Sequence, residues 1–306
     1  MNLLLFALSS LPVKIYSFIT APNVGILAIL AGGRYNIKKS KGRMCMYSKE
    51  PRCRYGANQL AEVICQFYFP EILSIAASPP TDFQEAIRDQ YPRFQRRMEI
   101  PAPKVAGKPG QFRLENQPGN INCQFASADD IWRVNLTSRF ISLSCSRYTG
   151  WEDFAAHLDK PLAAFIQTYR PAYFQRVGLR YVNTISRQAL GLEGKRFSEL
   201  IAPCYLGPLA VADVNEATAS RCTVDAEMAI RGGCRMKLHA GPGQVRRMGN
   251  PDKETKFIYD QDLYIAGNIP LNLCAAALHT LHGQAWSIFR GAITDTLHDA
   301  MEPEVL

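Results

Sequence analysis

The sequence predicts an α+β protein built from two similar halves, each reading strand, helix, three strands and helix around antiparallel sheet. Apolar side chains make up 47% of the 306 residues and charged ones 20%, which is enough to bury a sizeable core. Short segments alternate apolar and polar residues as strands do, and longer ones repeat at helical spacing. Connections between strands within each half are too short for regular helical crossovers, so antiparallel pairing is favoured.

The first half covers residues 58–170. Its first helix is predicted from Thr81 and Gln84, which form a capping box, and from apolar side chains at helical spacing. In chain order the predicted elements are a strand at 61–68, a helix at 81–97, a loop with one short strand at 101–118, strands at 121–127, 131–136 and 140–146, and a helix at 151–169.

The second half covers residues 171–306 and repeats this order. A long C-terminal helix closes it, and Gly283 is expected to weaken that helix and favour a break or bend. The predicted elements are a strand at 174–185, a short helix at 197–202, strands at 222–230, 234–239 and 256–266, and a helix at 271–301.

Residues 1–57 carry the whole net charge of +8, because they hold nine basic side chains and Glu50 as their single acidic one. The remainder of the chain is therefore neutral. A basic isoelectric point is typical of nucleic-acid binding, but here it belongs to this extension, so a nucleic-acid partner is disfavoured.

The same extension holds an uncharged run at 15–33, which could just span a bilayer. Three interpretations stay open: a gene model that begins too early, with Met44 or Met46 as the true start; a membrane anchor; and an ordered soluble segment. A membrane partner is expected only if the anchor is genuine.

Nine cysteines are spread along the chain without any Cys-x-x-Cys pair, which is not typical of a zinc ribbon or a disulfide framework. Several lie inside apolar runs, where cysteine behaves as a small hydrophobe. A reducing compartment, and hence a cytoplasmic location, is predicted.

Strand alternation selects the candidate ligand-binding residues, because side chains two apart point to the same face of a sheet. Two arginines share one face of strand 174–185, and a tyrosine and an asparagine share the other. Two further strands each carry a pair of acidic residues on one face. The candidates are Arg176, Arg180, Tyr181, Asn183, Asp225, Glu227, Asp260 and Asp262.

Two interpretations of these residues stay open. If the strands are neighbours, the carboxylates could hold Mg²⁺ or Mn²⁺ and the arginines a phosphate. Cross-strand ion pairs on a half-solvated face would produce the same pattern. The cofactor is left unknown and no metal site is assigned. His279 and His282, three apart on the last helix, are predicted to be partly buried, hydrogen-bonded side chains rather than metal ligands.

From about residue 60 the chain resembles a sporadically distributed family of uncharacterised bacterial and prophage proteins. The segments that carry the resemblance are SRYTGWEDF at 146–154, RVGLRYVNTI at 176–185, IYDQDLYI at 258–265 and FRGAITDTL at 289–297. The resemblance implies a cytosolic α+β protein of a mobile-element or defence locus, and it implies no activity or cofactor. Residues 1–57 depart from it.

These observations predict a cytosolic binding or interaction protein whose partner is another protein or a small anionic ligand. The alternative is a metal- or phosphate-dependent enzyme that uses the carboxylates and arginines on the sheet. The two hypotheses differ in geometry, since the enzyme requires these residues to converge in a cleft.

Overall fold

The computed structural model describes residues 46–99, 104–108, 111–115, 119–247, 250–251 and 253–306. Its strands are β1 (Cys53–Tyr55), β2 (Leu60–Tyr68), β3 (Arg93–Glu99), β4 (Lys104–Lys108), β5 (Gln111–Glu115), β6 (Asn120–Ala126), β7 (Trp132–Leu136), β8 (Phe140–Cys145), β9 (Phe174–Ile185), β10 (Val224–Ala229), β11 (Arg235–Gly243), β12 (Arg246–Arg247), β13 (Asn250–Pro251), β14 (Lys256–Ile269) and β15 (Pro303–Val305). Its helices are α1 (Leu73–Ala77), α2 (Thr81–Ile87), α3 (Trp151–Tyr169), α4 (Phe197–Leu200), α5 (Cys274–Ala292) and α6 (Asp295–Ala300).

Nine of these strands form one antiparallel sheet in the order β10-β11-β14-β9-β2-β8-β7-β6-β3. In each half the first strand pairs with the last one, β2 with β8 and β9 with β14. The middle strands follow as meanders, β8-β7-β6 and β14-β11-β10. β2 and β9 pair with each other at the centre. The predicted α+β class, the antiparallel sheet and the long C-terminal helix are confirmed. The first half contributes a fifth strand to the sheet, β3, which the prediction lacked.

The two faces of this sheet differ in polarity. Along β9, Val177, Leu179 and Tyr181 are buried on the face that α3 and α5 cover, which we call the core face. Arg176 and Arg180 point to the opposite side, which we call the polar face. Aromatic side chains from both halves are fully buried in the core: Phe67, Phe125, Phe154, Phe165, Phe174, Phe257 and Tyr259.

α3 follows its predicted bounds at 151–169. Apolar residues at helical spacing form its buried stripe, and Trp132 of β7 lies 5.7 Å from Phe154 between ring centres. The helix ends where Arg170 adopts left-handed geometry, with φ of 47°, ahead of Pro171. A proline cannot continue the helix at that point.

The helix predicted at 81–97 is wrong beyond Ile87. Residues 93–99 form β3 and pair with β6, and Phe94 lies 5.2 Å from Phe125 between ring centres. Pro92 disfavours helical geometry, and the strand partner is distant in sequence. The capping box also fails, because Pro80 is the N-cap and no side chain caps the helix. Within the loop predicted at 101–118 with one short strand, the described residues form two short strands, β4 and β5, which pair antiparallel; residues 101–103, 109–110 and 116–118 lie outside the described residues.

The helix predicted at 271–301 is two helices, and its break is not at Gly283. α5 continues through Gly283 to Ala292. Ile293 then forms an isolated β-bridge with Ile201, and Thr294 caps α6 by accepting a hydrogen bond from the Leu297 N–H at 3.4 Å. Pairing with a distant segment therefore decides where the helix ends.

Residues 46–57 of the predicted N-terminal extension pack against the body. The Ser48 N–H donates to Ser287 O at 2.8 Å, and β1 pairs with β15. The uncharged run at 15–33 lies outside the described residues. Within the part of the chain that is described, no helix is long and apolar enough to cross a membrane.

Candidate functional site

The eight predicted site residues divide between the two faces of the sheet. Their strands are neighbours, since β10, β11, β14 and β9 lie side by side. Alternation nevertheless separates them, because Tyr181 and Asn183 point to the core face and are buried there. The polar face carries the other six: Arg176, Arg180, Asp225, Glu227, Asp260 and Asp262.

Each of the two predicted arginines, Arg176 and Arg180, binds a carboxylate of β14. Arg176 Nη2 donates to both carboxylate oxygens of Asp262, at 2.6 and 2.7 Å, and its guanidinium lies 4.5 Å from the Tyr264 ring centre. Arg180 Nε donates to Asp260 Oδ1 at 2.8 Å, and this pairing raises the pKa of Arg180. A phosphate bound here would have to displace a carboxylate.

The carboxylates of β10 have partners of their own. Asp225 Oδ1 lies 2.6 Å from His239 Nδ1, and Glu227 Oε1 accepts from the Tyr264 hydroxyl at 2.5 Å. These hydrogen bonds lower the pKa of both carboxyl groups. Among the residues that the structure describes, no three His, Cys, Asp or Glu side chains form a group that could hold a metal ion. The polar face therefore carries cross-strand ion pairs and hydrogen bonds, in which Glu227 also contacts Arg235 and Arg235 donates to the Tyr264 hydroxyl.

Tyr181 and Asn183 line a cavity of about 120 Å³ between the core face, α5 and the segment around β1. Its floor consists of buried polar side chains from β9, β14 and α5: Tyr181, Asn183, Gln261 and His282. Its mouth consists of exposed side chains: Arg54, Asn58, Thr149 and Glu152. A largely apolar pocket with a few polar groups is the usual form of a small-molecule site.

Aromatic side chains form the walls of this cavity. Trp151 stacks on His282, with ring centres 4.3 Å apart and 13° between the ring planes. Tyr55 of β1 lies 5.8 Å from Trp286 of α5 between ring centres. Flat aromatic walls of this kind favour a planar ligand, because rings pack well by stacking or edge-to-face contact.

Three side chains form a directed hydrogen-bond chain at the cavity. Arg52 Nη2 contacts His282 Nε2, and because a guanidinium can only donate, the imidazole proton must lie on Nδ1. His282 Nδ1 donates to the Tyr181 hydroxyl oxygen at 2.7 Å, and the Tyr148 ring lies edge-on to the Tyr181 ring with 6.1 Å between centres. Burial, assisted by the charge of Arg52, lowers the pKa of His282 to about 3, so the imidazole is neutral.

Two buried polar atoms at the cavity have no hydrogen-bond partner. Gln261 is 2% exposed; its Nε2 donates to Ala285 O at 3.2 Å, but its Oε1 has no partner. The Nε1 atom of Trp286 is also buried without one. Such a group costs about 1–3 kcal/mol. Both residues line the same cavity, and a bound molecule that reached these two atoms would have to donate to Gln261 Oε1 and accept from Trp286 Nε1.

The segment ahead of β2 closes one side of the cavity and is tied to the C-terminal helices. Arg290 of α5 is buried; its Nε donates to Glu50 Oε2 at 2.6 Å and its Nη2 to Asp295 Oδ1 at 2.7 Å. Ser287 Oγ donates to Ser48 O at 2.7 Å. These bonds hold the segment that carries Arg52 and Tyr55 against the cavity.

Sequence reasoning missed this cavity, although two of the predicted site residues, Tyr181 and Asn183, line it. Asn183 and Gln261 are polar residues at positions that strand alternation assigns to the apolar face, and that signal could have found them. The prediction of a buried, hydrogen-bonded histidine is confirmed for His282, whereas His279 is exposed. No local pattern indicates that Arg52 lies beside them.

The fold and the site together define an α+β protein with an aromatic-lined pocket between its sheet and its long helix. No model of a known protein family matches the chain, and no curated protein matches it either.

Proposed function

We propose that this protein binds a small planar molecule in the cavity between α5 and the core face, as a cytosolic binding protein. The observation that carries the proposal is the pair of unpartnered buried atoms, Gln261 Oε1 and Trp286 Nε1, on one cavity. Buried polar groups that lack partners are rare in folded proteins, and they cost stability unless something else binds them. A complementary ligand carries one hydrogen-bond donor and one acceptor.

The cavity volume limits the ligand to about one substituted ring. An apolar cavity of about 150 Å³ takes up benzene. The present cavity measures about 120 Å³ and reaches solvent at its mouth, where substituents can extend. A single six-membered ring with short polar substituents therefore matches its size and its flat walls.

The polar face gives weaker support to a metal- or phosphate-dependent enzyme. Its arginines and carboxylates bind each other, at 2.6 Å for Arg176 with Asp262 and 2.8 Å for Arg180 with Asp260. Pairs of this kind occur on many half-solvated sheets and stabilise them modestly. We therefore do not propose an active site on the polar face.

Benzamide is the first probe, because it combines a flat ring with one donor group and one acceptor. We expect it to bind the wild-type protein and to quench tryptophan fluorescence, since Trp151 and Trp286 line the cavity. Acetophenone lacks the donor and toluene lacks both groups. Each lost hydrogen bond to a buried partner is expected to weaken binding about tenfold.

Two substitutions on α5 provide the control. Ala285→Leu fills the cavity, which Ala285 lines, and is expected to abolish binding, whereas Ala276→Leu lies on the exposed side of the same helix and should leave binding unchanged. Equal affinity for benzamide and toluene would contradict the proposal. The proposal would also be contradicted if none of the three probes bound, because the cavity would then be only a gap in the packing.

The setting of the protein belongs to the same proposal. The resemblance of segments such as 176–185 supports a bacterial protein of a prophage, mobile-element or defence locus that works in the cytoplasm, with a protein partner that responds to the ligand. The repeated strand order of β2-β8-β7-β6 and β9-β14-β11-β10 supports an internal duplication. Fractionation of cells that express the chromosomal copy is expected to place the protein in the soluble fraction; recovery with membranes would contradict this location.

A further inference from the structure

Arg52 differs from most of the half-buried or buried arginines that the structure describes; Arg196, which donates to the backbone carbonyls of Ala212 and Val214, is the other one without a carboxylate partner. Arg176, Arg187 and Arg290 each bind a carboxylate, at 2.6, 2.5 and 2.6 Å. Arg52 is half-buried and lines the cavity, and within the described part of the chain no ion pair joins it to a carboxylate. Its charge therefore lacks the compensation that its counterparts receive.

The group that Arg52 does contact cannot supply that compensation. Its Nη2 donates to the His282 imidazole, which is neutral because it is buried and lies beside this cation. That contact uses one of the five guanidinium N–H groups. The remaining donors form a planar fork, and the best complement to such a fork is a carboxylate bound through both oxygens.

The side chains that line the cavity favour an anion by their net charge. Arg52 and Arg54 are cations, and Glu152 at the mouth is the one acidic side chain among the lining residues. The floor contributes hydroxyl, amide and imidazole groups that carry no charge. The lining side chains therefore carry one excess positive charge, while the terminal carboxyl group of Leu306, which also lines the cavity, contributes a negative one. Arg52 is the less exposed of the two cations.

We propose that the ligand is a single-ring aromatic carboxylate that carries a hydrogen-bond donor on its ring. Arg52 holds the carboxylate, the aromatic walls hold the ring, and Gln261 Oε1 accepts from the ring donor. This inference rests on the proposed function and names its ligand class. It also accounts for why the closing segment brings an arginine to an otherwise neutral interior.

The test compares carboxylates with their neutral isosteres. Titration calorimetry of the full chain would use the three hydroxybenzoate isomers and the three corresponding hydroxybenzamides. We expect the best hydroxybenzoate to bind at least about tenfold more tightly than its amide, because hydrogen bonds to a charged group are the stronger ones. Arg52→Gln is expected to bring that ratio close to one. Arg139→Gln, in an exposed pair with Glu71 and outside the cavity lining, is the matched control and should preserve it.

The outcomes separate this inference from the proposed function. Equal affinity for acid and amide overturns the anionic ligand and leaves a neutral one in place. A preference that survives Arg52→Gln overturns the assignment of the carboxylate to Arg52. No binding by either set contradicts the proposed function itself. If Arg52→Gln does not fold, the acid-to-amide affinity ratio of the wild-type protein is compared at about 20 mM and about 500 mM salt. This ratio is expected to fall at the higher concentration, since charge pairing at a pocket that reaches solvent weakens with salt. A ratio that does not change with salt then counts against Arg52.

Discussion

Replacing Gln261 by methionine should stabilise the empty protein, although it removes a buried hydrogen bond. The wild-type side chain is 2% exposed and leaves Oε1 without a partner, while its Nε2 donates to Ala285 O at 3.2 Å. Methionine has a similar shape and no strong polar group, so it removes the unsatisfied acceptor together with that bond. The Ala285 carbonyl lies inside α5, where the helix itself supplies a donor.

The expected size of this effect follows from two opposing contributions. Relief of the unsatisfied acceptor is worth about 1–3 kcal/mol, and loss of the amide bond costs about 0.5–1.5 kcal/mol. The net result is an increase of about 1 kcal/mol in the free energy of unfolding, or about 2–4 °C in the melting temperature for a chain of this size. Urea and thermal unfolding, followed by circular dichroism without ligand, would measure it.

Gln66→Met is the matched control, because Gln66 lies on the central strand β2, two strands from β14 in the same sheet, but on the polar face, where its Oε1 accepts from Arg176 Nη1 at 3.5 Å. No stabilisation is expected there. If Gln261→Met lowers the free energy of unfolding instead, the Oε1 atom is satisfied in the folded protein, and the reasoning that makes it a ligand contact is refuted.

Two further predictions concern charged groups. Asp262→Asn should lower the free energy of unfolding by about 1–3 kcal/mol, because it breaks a pair with Arg176 in which the side chains are 19% and 24% exposed. Glu71→Gln, which breaks an exposed pair with Arg139, should change it by less than about 0.5 kcal/mol. Equal effects of the two substitutions in urea unfolding would contradict this. Between pH values of about 3 and 6.5 the unfolded chain binds a proton at His282 that the folded protein does not, so stability should rise with pH by up to about 1.4 kcal/mol per unit. His282→Gln should flatten this dependence and the exposed His279→Gln should not; an unchanged slope in the first variant would count against a buried neutral imidazole.

Local patterns in the sequence predict the fold well where an element's own residues decide its structure. The strand at 174–185 and the helix at 151–169 match the structure at both ends, because alternation in one and the apolar stripe in the other are complete. The prediction is wrong at 88–97, where Tyr91 and Phe94 continue a helical spacing but the chain pairs with β6. A strand partner some thirty residues away leaves no mark on local periodicity.

The candidate site was harder to predict for the same reason. Alternation correctly separates Arg176 and Arg180 from Tyr181 and Asn183, and it places the acidic pairs on one face. It does not show which face is the functional one. The cavity joins residues near positions 52, 148, 181, 261 and 282, which come together only after the sheet and α5 have assembled.

The central pairing of β2 with β9 has a consequence for how the protein is made. On the ribosome, residues 60–68 emerge more than a hundred residues before 174–185. The edge of β2 that pairs with β9 in the folded protein is therefore unpaired while the second half is being synthesised. Such an edge invites pairing with other chains. Synthesis that pauses between the halves should therefore raise aggregation, and a chaperone that shields extended segments should improve the yield of folded protein.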